Sequence, residues 1–469
     1  MEVPDRAERT RAGSVARQEA ARLSAEGVHG VALTWVDNAG LTRVKAVPTT
    51  ALAHAARWGV GMSPLFDVYL VDDSVTSSRH VGGPSGDLRL FPDLARLTEL
   101  AAQPGWAWAP VDRYGQDGEP HPVCQRQFAR RTAERAAERG FELRMGFETE
   151  WTVIRESGSS SEAGTGNPGG GTGTGLRYGC EGPAYGMARL IELSDYLGDV
   201  LAALAAQHID VLQIHPEFAP GQFEVSVAPA SPVGAADLAV LVRETIRAVS
   251  ARHGLTALLG PVVEAGAVGN GAHLHLSLWE NGRNLCRGGP GPAGMTPECE
   301  AFLAGVLREL PALLALGAPS PASYLRLEPS RWAGAYRCWG LENREAALRF
   351  ITGSPDDEAG ANAEVKCFDA AANPYLVVGA VTAAGLAGID EELRLPPPVS
   401  GDPAVTGEEA PRLPTSLPEA LALFERSALL REALGDPLFE SVAAVRRGEA
   451  KLFEGLAPQA VADATRKRY

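Results

Sequence analysis

The chain reads as an α+β protein in two unequal parts, a β-rich N-terminal domain over residues 1–111 and a larger domain over residues 112–469. Three observations carry that reading. The first 110 residues hold short apolar–polar alternations bounded by turn signals. Beyond them, strand-like runs are separated by alanine-rich stretches of helical period. The third is the stretch Gly271, Ala272, His273, Leu274, His275, Leu276, Ser277, Leu278, Trp279. Successive side chains of a strand point to opposite sides, so His273, His275 and Ser277 share one face and Leu274, Leu276 and Leu278 the other. The leucines enter a core, while the imidazoles and the hydroxyl stand on a wall that faces something polar. Asn281 and Gly282 follow as a type I′ hairpin signal, so the strand turns back on itself.

In chain order, residues 6–27 predict an amphipathic helix stopped at Gly27. Residues 31–36 and 41–47 flank Asp37, Asn38, Ala39 and Gly40 and predict a hairpin. Short strands and a Gly/Pro/Ser loop at 82–86 fill the region to about Pro110. From Asp112 to Arg126 the composition turns loop-like, which places the domain boundary near residue 112. A helix rich in Arg, Ala and Glu follows at 127–139, then a strand at 142–154. The Gly/Ser/Thr-rich tract at 158–175 carries glycines at dinucleotide-loop spacing but opens no helix, so a mobile loop is expected there. Helices are expected at 193–207, 232–253 and 297–316. Asn373 and Pro374 open another, as N-cap and first helical residue. Residues 396–411 read as a linker, and helices at 417–434 and 436–447 close the chain.

A chain of 469 residues accommodates two or three domains and a large core. With 43 basic and 58 acidic residues its net charge is −15, which argues against nucleic acid or an anionic membrane as the main partner. The six cysteines (Cys124, Cys180, Cys286, Cys299, Cys338, Cys367) form no Cys-x-x-Cys pair and read as reduced thiols of a cytoplasmic protein. The N-terminus is charged from Glu2 onward and has no signal-peptide core. The longest apolar run, residues 376–389, falls short of the roughly 20 residues that span a bilayer.

Three further strand-like stretches repeat the layout of the histidine strand with carboxylates. Glu148 and Glu150 share a face while Phe147 and Trp151 take the other. Two carboxylates roughly 7 Å apart on an apolar strand repel one another and call for a cation or solvent between them. Pro220 and Gly221 make a turn, so Glu217 and Glu224 converge from its two arms. Glu364 and Lys366 again share a face. Five carboxylates (Glu148, Glu150, Glu217, Glu224, Glu364) with His273 suit two hard divalent cations, Mg²⁺ or Mn²⁺ rather than zinc. Arginines that can grip phosphate or carboxylate follow at Arg326, Arg344 and Arg349. Paired metals beside arginines are equipment for phosphoryl transfer.

These motifs, in this order, resemble the type I glutamine synthetase superfamily. They are Glu148/Glu150, the run from Ala219 to Glu224, the run from Gly271 to His275, Asn343-Arg344 with Arg349, and Asn373 to Leu376. The resemblance implies a β-grasp domain at 1–111 and, at 112–469, a catalytic domain built on a curved antiparallel sheet flanked by helices. It implies ATP with two to three Mg²⁺ or Mn²⁺ ions per site. Glu150, Glu217 and Glu224 resemble the ligands of one metal, and Glu148, His273 and Glu364 those of another beside the ATP phosphates. Gly269 lies in the loop that holds the amino-acid head group of glutamate. His273, Arg326 and Lys366 match positions around the substrate carboxylate or transferring phosphate. Arg344 and Arg349 match nucleotide-phosphate and substrate contacts, and His275 and Ser277 match nucleotide contacts. The family assembles stacked hexameric rings with active sites between subunits. A dodecamer is therefore expected, with Asp87 and Asp72 or Asp73 from the N-terminal domain completing a neighbour's site. The implied chemistry phosphorylates the γ-carboxylate of glutamate, and an amine then displaces phosphate.

Departures from the family pattern bear on which amine. Where glutamine synthetases carry a flap glutamate that handles ammonium, the same spacing here lands on Trp332. An indole offers an apolar wall and no base. The Arg-Phe-Pro-Asp motif becomes Lys366, Cys367, Phe368, Asp369, and the adenylylated tyrosine has no counterpart near residues 391–398. These changes resemble the branch that joins glutamate to organic amines, including ethanolamine and polyamines, and the related domain of fungal and plant fusion proteins. A glutamine synthetase proper, with Glu328 replacing the missing base, and a non-catalytic relative stay as alternatives.

Overall fold

The computed structural model describes residues 6–155, 175–357, 359–406 and 410–469. The tract expected to form a loop at 158–175 lies, save for Gly175, outside them. The N-terminal part runs α1 (Arg6–Ala25), β1 (Gly30–Val36), β2 (Thr42–Pro48), α2 (Leu52–Trp58), β3 (Val60–Met62), β4 (Leu88–Pro92), β5 (Thr98–Glu99) and β6 (Trp106–Tyr114). Its sheet has the order β2-β1-β6-β4-β3, with β5 beside β6. β1 pairs parallel with β6 and the other pairings are antiparallel. The predicted hairpin of β1 and β2 is present, with Gly40 at φ 86° closing its loop. The helix α2 was not expected among the short strands. Its buried Leu52, Ala55 and Ala56 recur at helical spacing and cover the sheet's core.

The strand β6 crosses residue 112 without a break and ends at Tyr114. A buried polar seam then joins the two parts. Arg113 donates twice to Asp67 at 2.8 Å and also to the carbonyl of Val123 and to Gln125. Asn373 accepts from the amides of Tyr375 and Leu376 as the predicted cap. Its amide group also donates to the carbonyls of Val36 and Asp37, so the cap pins the hairpin. The approach is so close that a Cβ on Gly40 would lie 1.7 Å from the Ala371 carbonyl oxygen.

The larger part contains α3 (Gln125–Glu138), β7 (Phe141–Arg155), α4 (Met187–Glu192), α5 (Ser194–Ala206), β8 (Val211–Pro216), β9 (Gln222–Val227), α6 (Pro232–Arg252), β10 (Leu255–Leu258), β11 (Leu274–Glu280) and β12 (Arg283–Asn284). It continues with α7 (Pro297–Gly317), α8 (Ser323–Arg326), β13 (Tyr336–Leu341), β14 (Ala346–Ile351), β15 (Asn362–Val365) and α9 (Pro374–Asp390). Last come α10 (Pro403–Thr406), α11 (Leu417–Arg426), α12 (Ala428–Leu434), α13 (Asp436–Leu452) and α14 (Pro458–Thr465). The main sheet has the order β13-β14-β15-β11-β7-β9-β8, with β10 on β7 and β12 on β11. It is antiparallel except for the edge pair β13–β14. The antiparallel sheet with flanking helices is therefore as expected, apart from that edge. Leu274, Leu276 and Leu278 enter the core with the helices α6, α7 and α9. Asn281 and Gly282, at φ 50° and 77°, make the expected turn between β11 and β12.

Three expectations about the C-terminal third are corrected. Residues 396–411 are no free linker. They include α10, and Trp339 Nε1 donates to the Pro396 carbonyl at 2.7 Å while Asn343 donates to the carbonyls of Val399 and Gly401. The expected helix at 417–434 breaks at Ser427, whose hydroxyl caps α12 by accepting from the Leu430 amide. α14 follows the helix expected to close the chain and buries Val461 and Ala462.

Candidate active site

Four neighbouring strands present the predicted polar face as one wall. β7 lies between β11 and β9, and β15 lies on the far side of β11. The ladder runs back beyond β11, because the amides of Glu148 and Glu150 donate to the carbonyls of His273 and Gly271 at 3.0 and 3.1 Å. Register places Glu150 directly opposite Glu224. Like charges so placed destabilise a sheet unless something positive lies between them. Three groups of possible ligand atoms lie within 4.8 Å of one another: Glu148 with His273 and Glu364, Glu150 with Glu224 and His273, and His215 with Glu217 and Glu224. All six carboxylate and imidazole groups expected to hold metal thus fall in one place, joined by His215.

The electrostatics of this wall are those of a cation site. Burial, against a hydrogen bond from His215 and reinforced by Glu148 and Glu150, pushes the Glu224 carboxyl up to about 7. His215 moves up to about 9, chiefly through its hydrogen bond to Glu224 against the cost of burial. Burial works against ionised Glu148 as well, but hydrogen bonds with His273 and His275 overrule it and hold it far below the usual carboxylate range. Burial likewise opposes ionised Glu364, yet Lys366 and His273 hold it at about 2. The cluster thus holds one proton between His215 and Glu224 and another on His275 to balance crowded carboxylates. Hard oxygen donors in such a balance suit a divalent cation.

A cationic side faces the carboxylates. Lys366 Nζ donates to Glu364 Oε1 at 3.1 Å, and Arg349 Nη1 to Glu364 Oε2 at 3.1 Å. Arg326 Nη2 donates to His273 Nε2 and to the Lys366 carbonyl, both at 3.1 Å, whereas its Nη1 is buried without a partner. An unmet guanidinium donor is costly inside a protein and suits an anionic substrate. Arg344 also lines the cavity, which measures about 800 Å³.

Two irregular segments hold the rest. Gly269 is a close-approach glycine, since a Cβ there would lie 2.0 Å from the Pro261 carbonyl oxygen. Its carbonyl accepts from Gln222 Nε2 at 3.0 Å, and the same amide group donates to Glu150 at 3.1 Å, tying the glycine loop to the wall. Arg189 is buried and donates to the carbonyls of Gly182, Glu217 and Ala219, each at 2.7 Å. That grip fixes the turn carrying Glu217. Tyr185 reaches the Glu217 carboxylate from the same side, with its backbone at φ 56°.

At the rim, Trp332 lines the cavity and is 56 % exposed. Its loop has left-handed backbone at Ser330 (φ 56°) and Trp332 (φ 54°), a conformation costing about 1–3 kcal/mol each for such residues. The Glu345 carboxylate offsets that cost by accepting from the Trp332 amide at 2.7 Å and from the Ser330 amide. Ser330 Oγ also donates to Asp402 at 2.6 Å, and Arg331 to the Gly266 carbonyl at 2.6 Å.

Some predicted residues stand elsewhere. His275 does not line the cavity; it lies behind Glu148, 3.2 Å from that carboxylate, and bonds Asn362 at 2.8 Å. Ser277 accepts from Trp279 Nε1 at 2.8 Å, further along the same face. Asp72, Asp73 and Asp87 do not line the cavity of their own chain. Asp73 instead joins Arg43 and Arg468 at 2.8 and 2.9 Å. Sequence reasoning missed Tyr185, Arg189, Gln213, His215, Phe218 and Glu345. Gln213, His215 and Glu217 alternate along one strand face, which was a legible signal. Arg189 and Glu345 act through backbone groups distant in sequence and had none.

Residues 122–465 match the family model described as the glutamine synthetase catalytic domain. The chain belongs to the glutamine synthetase family. Among relatives of this family, it is 54 % identical to the gamma-glutamylpolyamine synthetase GlnA3 of Streptomyces coelicolor, with 98 % of each chain covered. It is 29 % identical to a gamma-glutamylanilide synthase of Acinetobacter sp., over 92 % of this chain and 89 % of that one. A solved glutamine synthase homolog superposes with a TM-score of 0.82 at 32 % identity, covering 94 % of this chain and 99 % of its own. The glutamine synthetase fold thus accounts for the sheet, the wall and the cationic side together. No described helix is long and apolar enough to cross a membrane.

Proposed function

We propose that this protein is an ATP-dependent ligase that joins the γ-carboxylate of glutamate to an organic amine through a γ-glutamyl phosphate. The observation that carries the reading is the pairing of a carboxylate–histidine wall with a cavity rim on which Trp332 stands. The relatives named for γ-glutamyl-polyamine and γ-glutamyl-anilide synthesis point the same way, and the first of these makes a polyamine the leading candidate.

In this reading Glu150, Glu217 and Glu224, with His215 beside them, hold one divalent cation, and Glu148, His273 and Glu364 hold another. Bound Mg²⁺ or Mn²⁺, two to three ions per site, would neutralise phosphate charge and polarise the γ-phosphoryl group. Gly269 and its loop orient the glutamate head group. Arg326 and Lys366 meet the carboxylate and the phosphoryl group it receives, with Arg344 and Arg349 on the nucleotide side. The free amine then attacks the acyl phosphate, so its proton must be shed first; the indole of Trp332 supplies carbon contact and no base. Tyr185 and Phe218 line the same cavity and suit a cationic or apolar tail.

His275 and Ser277 are proposed to act on the nucleotide only through neighbouring side chains. The domain division is proposed to fall between the end of β6 at Tyr114 and the start of α3 at Gln125. A cytoplasmic dodecamer of two hexameric rings is proposed, in which Asp87, with Asp72 or Asp73, enters a neighbour's cavity. The decisive experiment is phosphate release dependent on ATP and glutamate across ammonium, ethanolamine, small alkylamines and polyamines. Preference for an organic amine is expected; preference for ammonium over every organic amine would return the chain to glutamine synthesis.

A further inference from the structure

A second concavity, of about 320 Å³, opens where β2, α6 and the segment after α14 meet, and it shares no lining residue with the active-site cavity. Arg43, Arg243, Arg247, Lys467 and Arg468 line it, together with Asp73 and Glu244. Part of that charge is answered internally. Arg43 and Arg468 donate to Asp73 at 2.8 and 2.9 Å, Arg43 also donates to Asp37 at 2.7 Å, and Arg247 donates to Glu244 at 2.7 Å.

Arg243 differs. It is 5 % exposed and donates from Nη1 to the carbonyls of Ala370 and Ala372, at 2.7 and 3.4 Å. Its Nε and Nη2 are buried and have no partner. These two atoms form the side-on edge of the guanidinium, whose parallel N–H bonds match the spacing of two oxygens on a carboxylate or phosphate. A buried charge with two unmet donors is expensive. Burial, with Arg247 close by, accordingly pushes Arg243 down to about 10.

We propose that this concavity binds a small oxyanion, a carboxylate or phosphate seated on the Nε–Nη2 edge of Arg243 with Arg247 and Arg468 beside it. The site shares no lining residue with its own chain's active-site cavity, and of the residues in the ligase reading it includes only Asp73, one of two alternatives for completing a neighbour's cavity. An anion there ties the β1–β2 hairpin side of the molecule, through Arg43, to α6 and to the last residues of the chain.

The test is calorimetric titration of the full chain, with inorganic phosphate in one arm and succinate in the other, each with and without saturating Mg²⁺ and ADP. Saturable binding of at least one anion is expected, one per chain, at an affinity that Mg²⁺ and ADP leave unchanged. The arm that binds assigns the anion's chemistry. Arg243→Lys keeps a positive charge able to reach the Ala370 carbonyl but has no two-donor edge, so affinity should fall at least tenfold. Arg468→Met should weaken it several-fold. No saturable binding of either anion, displacement by Mg²⁺ and ADP, or full affinity in Arg243→Lys would each overturn the proposal. If Arg243→Lys fails to fold, unchanged affinity in both Arg247→Met and Arg468→Met overturns it instead.

Discussion

On the wall of the active-site cavity, Glu150, Glu224 and Glu364 are 8 %, 7 % and 1 % exposed and stand on strands of one hydrogen-bonded ladder. At the rim, Trp332 is 56 % exposed and stands on a loop with left-handed backbone, held by the side chains of Glu345, Ser330 and Arg331. The two regions fix their side chains by different means. In the wall, each of these strands pairs with a neighbour on both sides, so carboxylate positions follow from register. In the rim, a few bonds to one carboxylate and two loops set the position of an indole. On the proposed reading, a change in the wall should therefore strike the chemistry common to all amines, while a change in the rim should alter which amine is used.

The comparison breaks most directly at the wall. Glu150→Ala or Glu224→Ala should lower kcat by at least about 10³-fold while leaving the fold's melting temperature within a few degrees, because each removes a donor from beside a cation that bears transition-state charge. Undiminished phosphate release at limiting Mg²⁺ would remove the metal assignment. His273→Ala should slow the reaction about 10²-fold, with a much smaller change in the KM for glutamate. His275→Leu is the sharper variant. Since His275 touches Glu148 rather than the cavity, it should weaken apparent Mg²⁺ affinity more than it raises the KM for ATP, and the reverse result would restore a nucleotide contact.

Acidity tests the same wall without mutation. In the metal-free protein the Glu224 carboxyl is raised to about 7. Its proton, and that of His215 beside it at about 9, must leave before a cation enters, so Mg²⁺ affinity measured by titration calorimetry should rise with pH, up to about tenfold per pH unit for each group below its value, and flatten only above about 9. An affinity independent of pH between 5 and 7, to within about twofold, would contradict the environment described for Glu224.

The rim predicts smaller and more selective effects. An organic amine gains about 0.8 kcal/mol for each methylene buried against the indole, and only its free base attacks. Trp332→Glu should therefore lower kcat/KM for a neutral-tailed amine such as ethanolamine about 3- to 10-fold. Slight activity with ammonium should appear, and the unmodified enzyme should gain activity steeply towards alkaline pH. Glu345→Gln should have the smallest effect. It replaces the charged acceptor of the Trp332 amide by a neutral one, at about 1 kcal/mol, and should raise the KM for the amine several-fold while leaving those for ATP and glutamate unchanged. Equal rises in all three constants would mean that Glu345 supports the whole site and not the rim.

Much of the wall is legible in the sequence. That Glu148 and Glu150 share a face, that Leu274 and Leu276 oppose His273 and His275, and that Asn281-Gly282 turns the chain are consequences of local backbone geometry, which a sequence states directly. The cap at Asn373 was equally local. Tertiary structure alone decided which faces meet. Glu150 lies opposite Glu224 and His275 opposite Glu364 because strands distant in the chain pair in one register. The same long-range packing put Arg189 beneath the Glu217 turn, set Glu345 under the Trp332 loop and left the side-on edge of Arg243 buried without a partner. Alternation and capping depend on a residue and its near neighbours, and so they are written in the sequence. A buried polar side chain is placed by whichever distant backbone group needs its hydrogen bond, and that partner exists only once the chain has folded.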